Sequence, residues 1–195
     1  MTRRTFSLIL ASQLAIVLLG AFLLWVCDVK LPVAVVNGLS ASVGGIGLAV
    51  VTFFVIFLLF RIGGNFARVL HTDLQRITVL FSGCTWWHIF CIAILAGVGE
   101  ELLFRGFFQT WLSNYLSISL AILAVSIVFG LLHYLSHAYF VCTLLISIAF
   151  GAVYYFSGSL LMVMVWHGAY DFIALVVIVK FPYLLGGDKV FSVKH

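Results

Sequence analysis

Long apolar stretches separated by short polar turns run along nearly the whole chain. A helix that crosses a membrane needs about 20 largely apolar residues. By that measure the pattern predicts six spans, at about 6–27, 42–60, 88–108, 118–134, 139–156 and 160–180. The chain is therefore predicted to be an all-α, polytopic transmembrane helical bundle of about six spans, with six to eight as the range.

The basic residues between the spans predict an orientation. Two arginines precede the first span, three more lie in the polar segment 61–76, and three lysines lie at or beyond the end of the last span. We interpret 61–76 as a loop, and the positive-inside rule places it and the N-terminus in the cytoplasm. An even number of spans returns the lysines to the same side. These residues are Arg3, Arg4, Arg61, Arg68, Arg76, Lys180, Lys189 and Lys194.

Composition supports the membrane class. Of the 195 residues, 65% are hydrophobic and only 8% are charged, and the mean hydropathy is +1.27. The net charge of +4 is dispersed along the chain rather than clustered, which argues against nucleic acid as a partner. The four cysteines show neither CxxC pairing nor the spacing of a metal knuckle, so we interpret them as small hydrophobic residues.

The most informative feature is the run from Gly99 to Arg105, because it places two acids and an arginine inside apolar sequence. Ionisable groups at membrane depth cost several kcal/mol to insert and usually mark a functional site. Glu101 and Arg105 are four residues apart, so they share a helix face and can pair. Glu100 points about 100° away, which leaves its carboxylate available to a cavity. The alternative is a buried ion-pair cluster without chemistry.

Two later spans carry further polar side chains. His133 follows Phe129 by one helical turn, and His167 precedes Asp171 by the same spacing. An acid that accepts a hydrogen bond from an imidazole fixes its tautomer and raises its basicity. Either histidine alone could be a hydrogen-bonding clamp between helices. Together with Glu100 they make three polar insertions in neighbouring spans, which predicts a polar intramembrane cavity.

In order along the chain, these motifs resemble the signature of the CPBP family of intramembrane endopeptidases. The matching motifs are Glu-Glu-x-x-x-Arg, Phe-x-x-x-His and His-x-x-x-Asp/Asn, and Phe104-Arg105-Gly106 resembles the family's Phe-Arg-Gly. That family includes the CAAX prenyl proteases and bacterial immunity-like proteins. The resemblance covers roughly residues 85 to 175. We accordingly divide the chain into N-terminal spans and loop (1–80), a CPBP-type catalytic core (81–180) and a tail (181–195).

The resemblance implies hydrolysis of a peptide bond within the bilayer. By analogy Glu100 activates a water with help from His133, while His167 and the residue at position 171 orient the water or stabilise the oxyanion. Asparagine is common at this last position, and an ionised aspartate cannot donate a hydrogen bond. Asp171 is therefore predicted to orient His167 or to be protonated. The absence of a His-Glu-x-x-His motif favours a glutamic enzyme without a cofactor, with zinc as the alternative.

The predicted spans leave one geometric difficulty and two other functions open. If every span were a straight rod, His133 would lie about 10–15 Å from the depth of Glu100, so we expect a broken or re-entrant helix around the cavity. The alternatives to a protease are a non-catalytic binding or immunity protein and a small proton-coupled transporter. For the protease we expect a membrane-embedded or lipid-anchored protein substrate and a location in a prokaryotic inner membrane.

Overall fold

The computed structural model describes residues 1–185, so Lys189, Lys194 and most of the predicted tail lie outside the described residues. Within this range the chain is helical and has no β-strand. The helices are α1 (Arg3–Val26), α2 (Gly38–Ile62), α3 (Gly64–Phe81), α4 (Trp86–Glu101), α5 (Ile118–Leu132), α6 (His137–Ser157) and α7 (Leu160–Lys180). Helix α4 continues into a π-helical segment, Leu102–Gln109, and a short helix, Thr110–Leu112; a 3₁₀ turn, Pro182–Leu185, follows α7.

The predicted all-α membrane bundle is confirmed. Five helices are long and apolar enough to cross a membrane, namely α1, α2, α4 with its continuation to Leu112, α6 and α7. Helix α5 is equally apolar but has only 15 residues. Side-chain oxygens of Ser, Thr and Asn accept hydrogen bonds from backbone N–H groups at the start of six of the helices, which fixes where they begin. The capping residues are Thr2, Asn37, Thr85, Ser117, Ser136 and Ser159.

The prediction of a loop at 61–76 was wrong, because most of this segment belongs to α3. Leu70, Leu74 and Ile77 recur at helical spacing, and this stripe faces the bundle, where all three line a cavity. Arg76 lies on the other side and is largely exposed. The arginines dominated the hydropathy pattern, although Arg68 and Arg76 lie on the exposed face of an amphipathic helix.

Helices α4 and α7 run antiparallel with their backbones in contact. A Cβ atom added to Gly97 would lie 2.6 Å from the backbone nitrogen of Gly168 and 2.7 Å from the carbonyl oxygen of Met164. Such an approach is possible only because Gly97 lacks a side chain. It brings the acidic end of α4 directly opposite His167.

The depth of His133 follows from the length of α5. A rise of about 1.5 Å per residue places Glu100 roughly 21 Å along α4 from Trp86. Helix α5 ends at Leu132, and His133 then lies with its Nε2 atom 3.5 Å from Glu100 Oε2. The chain therefore turns back into α6 beside the middle of the long helix, and the offset that straight spans would give between Glu100 and His133 is absent.

Helix α1 lies parallel to α4 and covers the same region from the other side. The Phe6 and His88 rings are 4.2 Å apart at one end, and Val17 lies against Gly99 near the middle. Helix α2 packs against α7, where the Trp166 indole donates a hydrogen bond to Thr52. These contacts place polar residues of α1 beside the end of α4.

Candidate active site

Glu101 is held in a closed network at the end of α4. Its Oε1 atom accepts hydrogen bonds from Arg105 Nη1 at 2.9 Å and from His167 Nδ1 at 2.8 Å. Both Glu101 and Arg105 are fully buried. Arg105 also donates from Nη2 to the Ser147 carbonyl and hydroxyl oxygens, at 3.0 and 2.6 Å. The pair that the i, i+4 spacing predicts is thus present, and it links α4 to α6 and α7.

The guanidinium of Arg105 is further stabilised by aromatic rings. Its Cζ atom lies 5.0 Å from the centroid of Phe129 and 5.2 Å from that of Phe150. A cation over the face of an aromatic ring is attracted by the ring quadrupole, most strongly where water is excluded. The positive charge is therefore compensated on several sides. It forms an ion pair with Glu101 and none with Glu100.

Glu100 points away from this network. Its Oε2 atom lies 3.5 Å from His133 Nε2 and 4.0 Å from His167 Nε2. Its Oε1 atom accepts a long hydrogen bond from Gln13 Nε2 at 3.5 Å. The carboxylate of Glu100 thus faces two imidazoles and an amide, whereas that of Glu101 faces a guanidinium.

His133 is fixed by its own helix end. Its Nδ1 atom lies 2.8 Å from the Phe129 carbonyl oxygen, so an N–H on Nδ1 donates to that carbonyl. The imidazole also stacks on the Phe129 ring, with centroids 4.3 Å apart and planes at 25°. These two contacts leave Nε2 directed toward Glu100. The helical turn between Phe129 and His133 therefore sets both the tautomer and the direction of the imidazole.

His167 contacts acids on both of its nitrogens. Glu101 makes the short hydrogen bond to Nδ1, while Asp171 Oδ2 lies 3.5 Å from Nε2. The Nε2 atom also faces Glu100. The acid that directly holds the imidazole is therefore Glu101, and Asp171 lies on the side from which a reactant would approach. The sequence interpretation assigned this holding contact to Asp171.

A cavity of about 560 Å³ connects these groups. Glu100, His133, His167 and Asp171 all line it. Its other walls are largely apolar and come mainly from α2, α3, α6 and α7. The predicted polar cavity is thus a small polar patch at one side of a larger hydrophobic space. Among its apolar lining residues are Phe53, Phe57, Leu70, Leu74, Ile146 and Val177.

Sequence reasoning missed several polar residues that line this cavity, among them one each from α1, α6 and α7. Gln13 comes from α1, Tyr139 from α6 and Tyr170 from α7. Gln13 had a detectable signal, because it is a polar residue in the middle of an apolar span. The two tyrosines had none, since aromatic residues are common throughout this chain.

A zinc ion needs three or four His, Cys, Asp or Glu side chains arranged around one point. Among residues 1–185, no group of three His, Cys, Asp or Glu side chains is arranged to hold one. His133 Nε2 and His167 Nε2 both approach Glu100 Oε2, which is the set that zinc would use. A cofactor-free site and a zinc site both stay predictions.

Buried carboxylate and imidazole groups around a cavity in a membrane-type helical bundle define a candidate intramembrane hydrolase. Residues 82–173 match the family model described as type II CAAX prenyl endopeptidase Rce1-like. This segment is therefore a domain of the CPBP family of CAAX proteases, as the sequence motifs indicated. Neither the curated proteins nor the solved structures gave a match.

The family match covers all six predicted site residues and lies within the predicted core, 81–180. Membership indicates a protease of the CAAX type, a family that acts on membrane-anchored prenylated substrates. The long apolar helices and the family together make the chain an integral membrane protein. Helices α1, α2 and α3 all precede the matched segment, although all three contribute residues to the cavity.

Proposed function

We propose that the protein is a glutamic-type intramembrane endopeptidase in which Glu100 activates the attacking water. One observation carries this assignment: Glu100 is the acid that faces the cavity, within 3.5–4.0 Å of two imidazole Nε2 atoms, while its neighbour Glu101 neutralises Arg105. A general base must reach the proton that it removes and must not be committed to a fixed cation. Glu100 meets both conditions.

The chemistry follows from these positions. Glu100 takes a proton from a water held between its carboxylate and His133, and the resulting hydroxide attacks the carbonyl carbon of the scissile peptide bond. The oxyanion forms beside His167, whose orientation Glu101 fixes. Protonated Glu100 then delivers its proton to the leaving amine as the C–N bond breaks. Preorganised polar groups in a site with little water stabilise this developing charge strongly.

Asp171 has an auxiliary role in this mechanism. Its carboxylate lies 3.5 Å from His167 Nε2, so in its ionised form it favours a positively charged imidazole opposite the oxyanion. As an acceptor it cannot itself donate a hydrogen bond to that oxyanion. We assign Asp171 as a positioning residue that acts through His167.

The shape of the cavity supports a lipid-anchored protein or peptide as the substrate. The polar groups lie together, while the apolar walls extend away from them along α2, α3 and α7. Such walls can receive a hydrocarbon chain from the bilayer without burying an unpaired polar group against it. We place the enzyme in a prokaryotic inner membrane with its N-terminus in the cytoplasm, because the basic ends of α1, α2 and α3 favour that side.

A cleavage assay tests the proposal. Purified protein in liposomes is given prenylated peptides with a C-terminal CAAX sequence, and the products are identified by mass spectrometry. We expect cleavage by the native chain and a loss of about 10²–10⁴-fold in kcat for Glu100→Gln. Cleavage that is indifferent to Glu100, His133 and His167 alike would contradict the protease and favour the non-catalytic binding or immunity protein.

Metal analysis of the same preparation separates the two catalytic types. We expect less than one zinc per chain and activity that survives prolonged chelation. Stoichiometric zinc, with activity lost on chelation and restored by zinc, would instead make His133 and His167 ligands and reassign Glu100.

A further inference from the structure

Helix α3 carries a buried carboxylate that the catalytic mechanism does not use. Asp73 is 1% exposed, and its Oδ2 atom accepts a hydrogen bond from the Ser136 hydroxyl at 2.5 Å. Its Oδ1 atom is 3.4 Å from Arg76 Nη1, but that arginine side chain is 64% exposed. A buried carboxylate is costly unless it is paired and hydrogen-bonded. The contact of Asp73 with Arg76 is therefore open to solvent, whereas its hydrogen bond with Ser136 is shielded from solvent.

Ser136 makes a second contact that ties this bond to the start of α6. As the N-cap of α6, its Oγ atom accepts a hydrogen bond from the Tyr139 N–H at 3.1 Å. The hydroxyl hydrogen is then free to be donated to Asp73. The two contacts hold Ser136 in one rotamer, so Asp73 fixes where α6 begins relative to α3.

The same serine is only three residues from a proposed catalytic group. Three residues span at most about 11 Å even when fully extended, and the chain from His133 to Ser136 is a tight turn. The His133 N–H donates to the Phe129 carbonyl at 3.2 Å, which anchors one end of the turn to α5. The Asp73–Ser136 bond anchors the other end.

The attachment of α3 makes this bond important. Gly63 and Gly83, on either side of α3, have φ angles of +78° and +76°. These left-handed conformations form sharp turns, so α3 is not a straight extension of α2 or α4. Its place in the bundle is set by its side chains, and Asp73 supplies the buried polar contact to the turn that carries His133.

We infer that Asp73 is a positioning residue for the hydrolysis: through Ser136 it holds His133 Nε2 within 3.5 Å of Glu100. This inference rests on the proposed function. It also gives α3, which ends immediately before the family-matched segment, a specific part in the reaction. Misplacement of a catalytic group by about 1 Å can reduce a rate about 100-fold.

Exchanging the two side chains tests the bond itself. Ser136→Asp retains an N-cap acceptor but sets two carboxylates against each other, and Asp73→Ser replaces the carboxylate by a shorter, uncharged hydroxyl opposite the Ser136 hydroxyl. We expect each single variant to lower kcat by about 10- to 100-fold with KM changed by less than about threefold. The double variant restores a hydroxyl opposite a carboxylate, with the total side-chain length retained, and is expected to recover most of kcat.

Two control variants separate this effect from general destabilisation. Arg76→Gln removes the exposed partner of Asp73, and Ser117→Ala removes the N-cap hydrogen bond of α5 without touching Asp73. Both are expected to keep kcat within about threefold of the native value. Single variants as active as these controls, or a double variant no better than the singles, would overturn the inference.

A measurement without substrate keeps this inference distinguishable from the proposed function. In ¹⁵N-histidine-labelled protein, the His133 ring signal is assigned with His133→Gln. We expect Asp73→Ser to shift the Nε2 resonance in the direction that Glu100→Gln shifts it, and the double variant to reverse the shift. An unmoved resonance overturns the role of Asp73, whereas native protein without Glu100-dependent cleavage overturns the proposed function alone.

Discussion

The two halves of the polar site use the same residue types for opposite purposes. The closed half consists of Glu101, Arg105 and Ser147, whose side chains are fully buried and joined by hydrogen bonds of 2.6–2.9 Å. The open half consists of Glu100, His133 and Asp171, which line the cavity, and their contacts with one another and with Gln13 and His167 are 3.5 Å or longer. Adjacent glutamates on one helix thus differ in partner rather than in chemistry, and the partner determines the role.

His167 belongs to both halves. Its Nδ1 atom is bonded in the closed half at 2.8 Å, while its Nε2 atom faces Glu100 and Asp171 in the open half. The rigid network therefore orients a group that acts in the looser one. Precise catalytic groups require such support from neighbours whose own positions are fixed. The closed half is expected to control stability and the open half to control rate.

The strongest test of the difference between the two halves is truncation of Glu100, the acid that faces the cavity. Glu100→Ala should lower kcat by about 10²–10⁴-fold because it removes the base. The melting temperature and membrane yield should remain near those of the native protein, since the Glu101–Arg105 pair is untouched. Cleavage rates and thermal unfolding of the same preparation check both points. A variant that lost its fold would show that Glu100 also belongs to the closed half.

Truncation of the neighbouring acid should reverse this pattern. Glu101→Ala leaves Arg105 buried without its carboxylate, and removing one partner of a buried ion pair typically costs about 3–5 kcal/mol. We expect a lower unfolding temperature and poor membrane yield, with activity reduced as a consequence. Arg105→Met with Glu101→Leu should recover part of the stability but not the activity, because His167 loses its Nδ1 partner. Full stability in Glu101→Ala would contradict the closed half.

Changes at Asp171 should have a smaller effect and sharpen the boundary between the halves. Asp171→Leu should reduce kcat by about 10- to 100-fold, as is typical when a supporting hydrogen-bond partner is lost. Asp171→Asn keeps the shape of the side chain and should reduce kcat less than Asp171→Leu does. His167→Ala should reduce kcat at least as much as Asp171→Leu. Immunoblots for equal protein levels accompany the rate measurements. Equal losses in both Asp171 variants would show that its charge, not its shape, is required.

The smallest effect is expected at Gln13, which contacts the open half from α1. Its amide donates to Glu100 at 3.5 Å, a long and therefore weak hydrogen bond. Gln13→Leu should lower kcat by about two- to tenfold without loss of stability, which is the range of a neutral hydrogen bond. Ser12→Ala, at the neighbouring cavity-lining position, is the matched control. A loss as large as that of Glu100→Ala would make Gln13 a catalytic residue.

The closed half was largely predictable from sequence because its main contact is local. Glu101 and Arg105 are separated by one helical turn, and helix geometry alone brings them together even where the helix changes to π-type. Separation of Glu100 from this pair follows from the same geometry. The spans themselves were predictable because their apolar runs are long.

Other features were not predictable because they depend on contacts between distant segments. The Glu101–His167 hydrogen bond joins residues 66 positions apart, so the local i, i+4 partner Asp171 was favoured instead. The α3 helix was hidden because average hydropathy ignores which face a charge occupies. The depth of His133 could not be predicted because a hydrophobic run does not reveal that α5 ends after 15 residues.

The contact between Gly97 and Gly168 limits how this enzyme can be altered. The helix spacing beneath the site is set by main chain against main chain, so no rotamer change can relieve an added methyl group. Libraries aimed at new substrates should therefore tolerate diversity in the apolar walls and almost none at Gly97, where an added Cβ would lie 2.6–2.8 Å from backbone atoms of α7. One of the least replaceable positions near the site is thus a glycine, which has no side chain and takes no part in the chemistry.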